Sequence, residues 1–272
     1  MTPFQAIILG TVQGLTEFLP VSSSGHLVLG QYLFGLKTPE LLFDVAVHIG
    51  TLAAVCIYFF KDIADILAAV GKWLGNLFQK NTAPAHFSAE LRLGLMILVG
   101  SVPTAIIGML LHGMVDVLFT STLLVGGMLI VTGVWMWFTR NLRSAGLDAG
   151  DFSAVKAICI GTVQGLAVIP GISRSGATIA AALYLGLNRE TAARYSFLLS
   201  IPAILGAALI SMRDLSAAGT AHPSVVALGA GVSGLVGYGA LTFLVHLVKK
   251  GNLYMFAPYC WVVGGVCLAL SW

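Results

Sequence analysis

FQAIILGTVQGLTEFLPVSSSGHLVLGQYLFGL, residues 4–36, and VKAICIGTVQGLAVIPGISRSGATIAAALYLGL, residues 155–187, are two copies of one segment. Sliding the chain by 151 residues aligns 6–36 with 157–187 without a gap, and 13 of the 31 positions are identical. GTVQGL occurs at both 10–15 and 161–166, and Ser22, Ser24 and Gly25 meet Ser173, Ser175 and Gly176. Chance would give about two or three identities in such an alignment, so the repeat is real. Each copy is apolar but broken near its middle, by Pro20-Val-Ser-Ser-Ser-Gly25 and by Pro170-Gly-Ile-Ser-Arg-Ser-Gly176. Neither half of a copy is long enough to cross a bilayer, which takes about 20 residues. Non-helical backbone at membrane depth survives only when it is buried in protein or lines a wet cavity. Both copies therefore read as re-entrant helix pairs.

The rest of the chain is membrane-like. Lys, Arg, Asp and Glu make up 9% of the 272 residues and apolar residues 58%. Soluble domains carry about 25% charged residues, so a water-facing surface cannot be built here. Disorder is excluded by the same balance. Hydropathy marks six spans, at about 43–60, 91–111, 117–138, 191–211, 223–248 and 253–271. Residues 61–79 carry charge on one side and apolar groups on the other, as an interfacial helix does. The expected fold is an all-α polytopic membrane protein in one domain, residues 1–272, with repeat 1 at about 4–138 and repeat 2 at about 155–271. Three crossings between the copies turn the second upside down, giving an inverted-topology repeat of six transmembrane helices plus two re-entrant helix pairs. In such repeats the breaks meet near the midplane and form the site.

The basic residues set the orientation. Lys61, Lys72, Lys80, Arg92, Arg140, Arg143, Lys156, Arg189, Arg194, Lys249 and Lys250 fall on one side, against Lys37 and Arg213 on the other. The rich side is expected to be cytoplasmic, which turns both termini and the mouth of the first break outward. The N-terminal apolar run has no basic n-region and is interrupted by Glu17, unlike a cleaved signal peptide. Cys56, Cys159, Cys260 and Cys267 lie in apolar stretches without metal-ligand spacing and read as small packing residues.

Chemistry concentrates in the breaks. The first offers Gln13, Glu17, Ser22, Ser23, Ser24 and His26, and the second Gln164, Ser173, Arg174, Ser175 and Thr178. Gln13 and Glu17 are four residues apart and share a helix face. An acid in a membrane stretch is costly and usually functional, and Arg174 is its matching base. A guanidinium, hydroxyls and helix starts with open N–H groups suit a phosphate ester. Ser or His could supply a nucleophile with the other as partner. Glu17, with Gln13 as a neutral oxygen donor, could hold a hard divalent ion such as Mg²⁺ or Ca²⁺. Simpler roles compete: a structural Glu17–Arg174 pair, and helix capping by Ser22, Ser23, Ser24, Ser173 and Ser175. His48, inside a span, reads as an interhelical hydrogen-bonding residue and Asp44 as a cap. His86, His112, His222 and His246 fall in loops or near span ends and are not expected to be catalytic.

QGLTEFLPVSSSGH at 13–26 and PGISRSGAT at 170–178 resemble the two motifs of the undecaprenyl-diphosphatase family, also called bacitracin-resistance protein. The resemblance extends over the whole chain in length, repeat spacing and span count. It implies a hydrolase of the bacterial cytoplasmic (inner) membrane that converts undecaprenyl diphosphate to undecaprenyl phosphate and phosphate. That reaction recycles the lipid carrier of peptidoglycan synthesis on the outer face and confers resistance to bacitracin. It also implies a divalent cation, Glu17 as the essential acid near the metal or a water, and Ser23 or His26 as nucleophile or its base. Arg174 would hold the diphosphate beside Ser173 and Thr178. Gln13, Ser22, Ser24 and Ser175 complete the expected substrate contacts. Some members carry ExxxE where this chain has Gln13 and Glu17. The metal then binds through one carboxylate and substrate oxygens, or Gln13 only bonds the diphosphate. Either Ser23 attacks the terminal phosphorus with His26 as base, which is the working hypothesis, or His26 attacks and a phosphohistidine forms. A lipid-carrier flippase with the same architecture is the alternative function. The KxxxxxxRP signature of other lipid phosphatases is absent. Membrane lipids and a second copy of the chain, as a homodimer, are candidate partners, and nucleic acid is not expected.

Overall fold

The computed structural model describes residues 1–36, 40–77, 88–114, 118, 121–142, 146–214 and 222–270. Lys37, Lys80, His86, Arg143 and the Arg213 side chain, placed above from sequence, lie outside the described residues. The described chain is helical: α1 (Pro3–Phe18), α2 (Ser23–Leu33), α3 (Leu41–Tyr58), α4 (Phe60–Leu77), α5 (Ala89–His112), α6 (Thr122–Phe138), α7 (Ala154–Leu166), α8 (Arg174–Tyr184), α9 (Arg189–Asp214), α10 (Pro223–Lys249) and α11 (Ala257–Ala269). Among the described residues five helices are long and apolar enough to cross a membrane: Leu41–Tyr58, Ala89–His112, Thr122–Asn141, Arg189–Met212 and Pro223–Lys249. The chain is a multi-pass membrane protein. The stretch expected as a sixth span divides into a 3₁₀ turn, Leu253–Phe256, and α11, which has 13 residues and a proline in its first turn.

The first apolar repeat breaks where its proline dictates, and the second breaks earlier. α1 starts at Pro3 with a capping box, in which Thr2 Oγ1 accepts from the Gln5 amide at 3.3 Å and Gln5 Oε1 from the Thr2 amide at 2.8 Å. It stops at Phe18 because Leu19, which precedes Pro20, is pushed to an extended ψ of 137°. α7 stops at Leu166, three positions earlier in the repeat frame, although Pro170 comes only one position earlier. The difference is taken up by i→i−3 turns, with Val168 N–H on the Gly165 carbonyl and Ile169 N–H on the Leu166 carbonyl.

Glycine contacts set the packing register. A Cβ on Gly10 would fall 2.6 Å from the Gly229 carbonyl oxygen, and one on Gly161 would fall 2.0 Å from that of Gly100. Only glycine permits backbones this close. Gly10 on Gly229, Gly14 on Ser233 and Phe18 on Gly237 run in step, so α1 and α10 are parallel. Ser233 Oγ donates to the Val47 carbonyl at 2.9 Å and Phe43 packs on Gly229, so α3 runs with them. Gly161 on Gly100 and Gly165 on Ile107 make α7 and α5 parallel, and Tyr195 donating to the Met96 carbonyl at 2.9 Å adds α9. The two sets meet where Phe197 of α9 stacks on Phe59 at the C-terminal end of α3, beside the Arg194–Asp62 ion pair to α4 at 2.5 Å. α6 and α11 cross through Gly126 and Gly264.

The copies are not equally buried. In α8, Ala177, Thr178, Ile179, Ala180 and Ala182 are all fully buried, whereas α2 buries only Leu27 and Gln31 and leaves Tyr32 and Leu33 about three-quarters exposed. α8 is therefore core and α2 is an exposed edge.

Candidate active site

Glu17 sits one residue before the end of α1, buried, and its carboxylate gathers the groups anticipated from the two breaks. Ser23, the first residue of α2, donates its hydroxyl to Glu17 Oε2 at 2.7 Å. Gln13 donates from Nε2 to the same oxygen at 3.0 Å. Arg174, the first residue of α8, forms an ion pair with Oε1. The pair joins residues 157 apart in sequence, one from each copy. Three donors converge on the carboxylate, and the guanidinium retains further N–H groups for an incoming anion.

The hydroxyls divide by role. Ser173 caps α8, accepting from the Gly176 amide at 3.2 Å. Ser175 donates to the Phe18 carbonyl at 2.8 Å, tying α8 to the end of α1. Thr178 is fully buried, donates to the Arg174 carbonyl at 2.8 Å and contacts the Ser196 hydroxyl. Ser22 occupies the cap position of α2 without capping it. Its Oγ instead accepts from the Gly171 amide of the other break at 3.2 Å and lies 3.5 Å from Ser24 Oγ. The α2 start is thus the one that Ser22 leaves open, directly at Ser23, and a helix N-terminus with uncapped amides favours an anion.

His26 does not meet Ser23 as its base would. Its Nδ1 bonds the Ser22 carbonyl at 2.9 Å and its Nε2 the Tyr259 hydroxyl at 2.7 Å. His48 is not a simple interhelical hydrogen-bonding residue either. Its Nδ1 bonds the Asp44 carbonyl of its own helix at 2.7 Å, and its Nε2 faces Glu17 Oε2 at 3.8 Å. Asp44 accepts from Gln31 Nε2 of α2 at 2.5 Å, a cross-helix contact in place of the expected cap. Sequence reading passed over Thr132, whose Oγ1 donates to the Gly171 carbonyl at 3.1 Å and accepts from the Ser173 amide at 3.2 Å. It also passed over Tyr259. Neither carries a local signal, whereas His48 had one, as an ionisable group within a span.

Among the described residues no group of three or more His, Cys, Asp or Glu side chains could hold a metal ion. Both Glu17 oxygens already accept from donors. Gln13 Oε1 is buried without a hydrogen-bond partner, a hard oxygen of the kind Mg²⁺ or Ca²⁺ takes.

The chain is similar to curated proteins named undecaprenyl-diphosphatase. One from Desulfosudis oleivorans is 54% identical over 98% of each chain. One from Desulforapulum autotrophicum is 50% identical over 97% of this chain and 96% of its own length. One from Methanosphaera stadtmanae is 44% identical over 98% and 97%. The family described as bacitracin resistance protein BacA matches residues 6–266, and the chain belongs to that family.

Proposed function

We propose that this chain hydrolyses undecaprenyl diphosphate to undecaprenyl phosphate and inorganic phosphate, with Ser23 as nucleophile and Glu17 as its base. The observation that carries this reading is the 2.7 Å hydrogen bond from Ser23 Oγ to a buried carboxylate that also faces Arg174. A candidate base must be within hydrogen-bond reach of the proton it takes, and Glu17 is. His26 has both nitrogens engaged elsewhere.

Ser23 Oγ bonds to the terminal phosphorus as its proton passes to Glu17 Oε2. The bridging P–O bond breaks and its electron pair leaves with the lipid monophosphate. Glu17 releases that proton to solvent; water then attacks the phosphoserine, giving a proton to Glu17, which passes it to Ser23 Oγ as phosphate departs. Arg174 and the α2 amides face the oxygens on which charge develops. A divalent cation, Mg²⁺ or Ca²⁺, would reach the site on the diphosphate, with Gln13 Oε1 as the chain's own ligand. When bound it would supply neutralisation of the diphosphate charge. The flippase alternative is not favoured, because the curated relatives are named for a hydrolase.

The proposed architecture is the inverted repeat. Its support is that α1 pairs with α10 of the other repeat as α7 pairs with α5, in each case through matching glycines. The 3₁₀ turn and α11 together reach about 27 Å, close to the hydrocarbon thickness, and serve as the sixth span. We place the chain in the bacterial inner membrane with the mouth of the first break outward, on the bias of basic residues.

The test uses the purified full chain in detergent with undecaprenyl or farnesyl diphosphate and Mg²⁺ or Ca²⁺. Phosphate release is expected, and Ser23→Ala abolishes it. An inactive wild type that still moves lipid across liposomes would establish the flippase instead.

A further inference from the structure

Ser22 is the only non-glycine residue with positive φ among the described residues, at φ 68° and ψ 92°. Such a conformation is strained and persists only where surrounding structure over-determines it. The restraints on Ser22 are visible. Its Oγ accepts from the Gly171 amide at 3.2 Å and its carbonyl bonds His26 Nδ1 at 2.9 Å. A carbonyl can only accept, so His26 Nδ1 carries a proton. In the neutral ring Nε2 is then an acceptor, and the partner 2.7 Å away is the Tyr259 hydroxyl, which donates to it. The two rings also stack, with centroids 5.9 Å apart and planes 19° from parallel. The next residue on the same helix, Cys260, donates from Sγ to the Pro20 carbonyl at 3.3 Å. The start of α11 therefore grips both sides of the first break, and the residue that follows Ser22 is Ser23.

We infer that Tyr259 is a positioning residue for the hydrolysis: through His26 it holds the Ser22 peptide in its left-handed conformation and so aims the Ser23 hydroxyl at Glu17. The inference rests on the reading of Ser23 as nucleophile. It gives His26 the task of bridging Tyr259 to the Ser22 carbonyl. Tyr259 is about half exposed, so a phenylalanine leaves the helix packing intact.

The test compares Tyr259→Phe, His26→Asn, His26→Gln and Ser23→Ala in the purified full chain, with farnesyl diphosphate and Mg²⁺. Tyr259→Phe should lower kcat about 5–10-fold, the value of one hydrogen bond, with KM unchanged. An asparagine amide takes the place of Nδ1 and still donates to the Ser22 carbonyl, so His26→Asn should stay within about tenfold of wild type. The longer glutamine places its amide where Nε2 was and should fall at least tenfold further. Adding Tyr259→Phe to His26→Asn should change nothing more, since the tyrosine acts through the histidine. A KM rise that accounts for the whole Tyr259→Phe loss would make Tyr259 a substrate contact and overturn the inference. So would an unchanged kcat, additive effects in the double variant, or an acid-labile phosphate trapped on His26. Ser23→Ala separates the two levels. If it retains activity, the nucleophile reading fails whatever Tyr259 does; if it is inactive while Tyr259→Phe has wild-type kcat, only the positioning inference fails.

Discussion

Glu17→Gln separates the two things the carboxylate does. Oε2 accepts from Ser23 at 2.7 Å and from Gln13 at 3.0 Å, while Oε1 accepts from Arg174. An amide of the same shape has one acceptor oxygen. Turned toward Arg174, it sets its NH₂ against Gln13 Nε2 and leaves Ser23 without a proton acceptor. Losing a general base costs about 10²–10⁴-fold in kcat. The same change leaves Arg174 without its buried counter-charge. Removing one partner of such a pair costs about 3–5 kcal/mol. The lower figure applies, because the Arg174 side chain is 17% exposed and can turn to water. Glu17→Gln combined with Arg174→Met removes both charges and should regain about 2 kcal/mol of that stability without regaining activity. Phosphate release from farnesyl diphosphate reads the first effect, and thermal unfolding in detergent by circular dichroism reads the second. A Gln variant keeping a tenth of wild-type kcat would refute Glu17 as base. A double variant as unstable as the two singles summed would refute the ion pair.

Gly161→Ala should lose about 1–3 kcal/mol, because its Cβ meets the Gly100 backbone at 2.0 Å, whereas Gly206→Ala, with open space around it, should change thermal unfolding by less than about 0.5 kcal/mol. Thr132→Val removes the hydroxyl that links Gly171 to Ser173, leaves two buried backbone groups unpaired, and should destabilise by about 1–3 kcal/mol in the same measurement. Chelator treatment should stop phosphate release yet leave the unfolding midpoint unmoved, since no cage of acidic or histidine ligands is present among the described residues to be emptied; a fall in the midpoint would contradict a cation carried by substrate.

The repeat could be read from sequence because an ungapped match preserves both the GTVQGL helix and the Ser-x-Ser-Gly helix start. Glu17 and Arg174 stood out because charge is so scarce in this chain. What stayed hidden was pairing across the chain. Nothing local to Tyr259 says that it reaches residue 26, and nothing local to Thr132 says that it bridges residues 171 and 173. The family resemblance makes His26 a chemical partner of Ser23. The structure turns its ring the other way, since the Ser22 carbonyl takes Nδ1 and a helix distant in sequence takes Nε2. The division of residues 253–269 into a 3₁₀ turn and a helix was also not legible, because hydropathy does not distinguish the two.

The long sequence separation of Glu17 and Arg174 has a consequence for biosynthesis. At about 5–20 residues per second, the base is synthesised some 8–30 s after the acid. Over that interval the first repeat holds a carboxyl group with no cation to meet it, and the glycine face of α1 has no Gly229 to pack on. A nascent chain in this state is stable only with Glu17 protonated or held at the membrane surface. α1 and α2 can therefore settle only late, after their partners from the second repeat have been made. Ribosome-bound chains ending before residue 174 should leave Ser23 open to aqueous labelling, and chains extended past residue 249 should close it off.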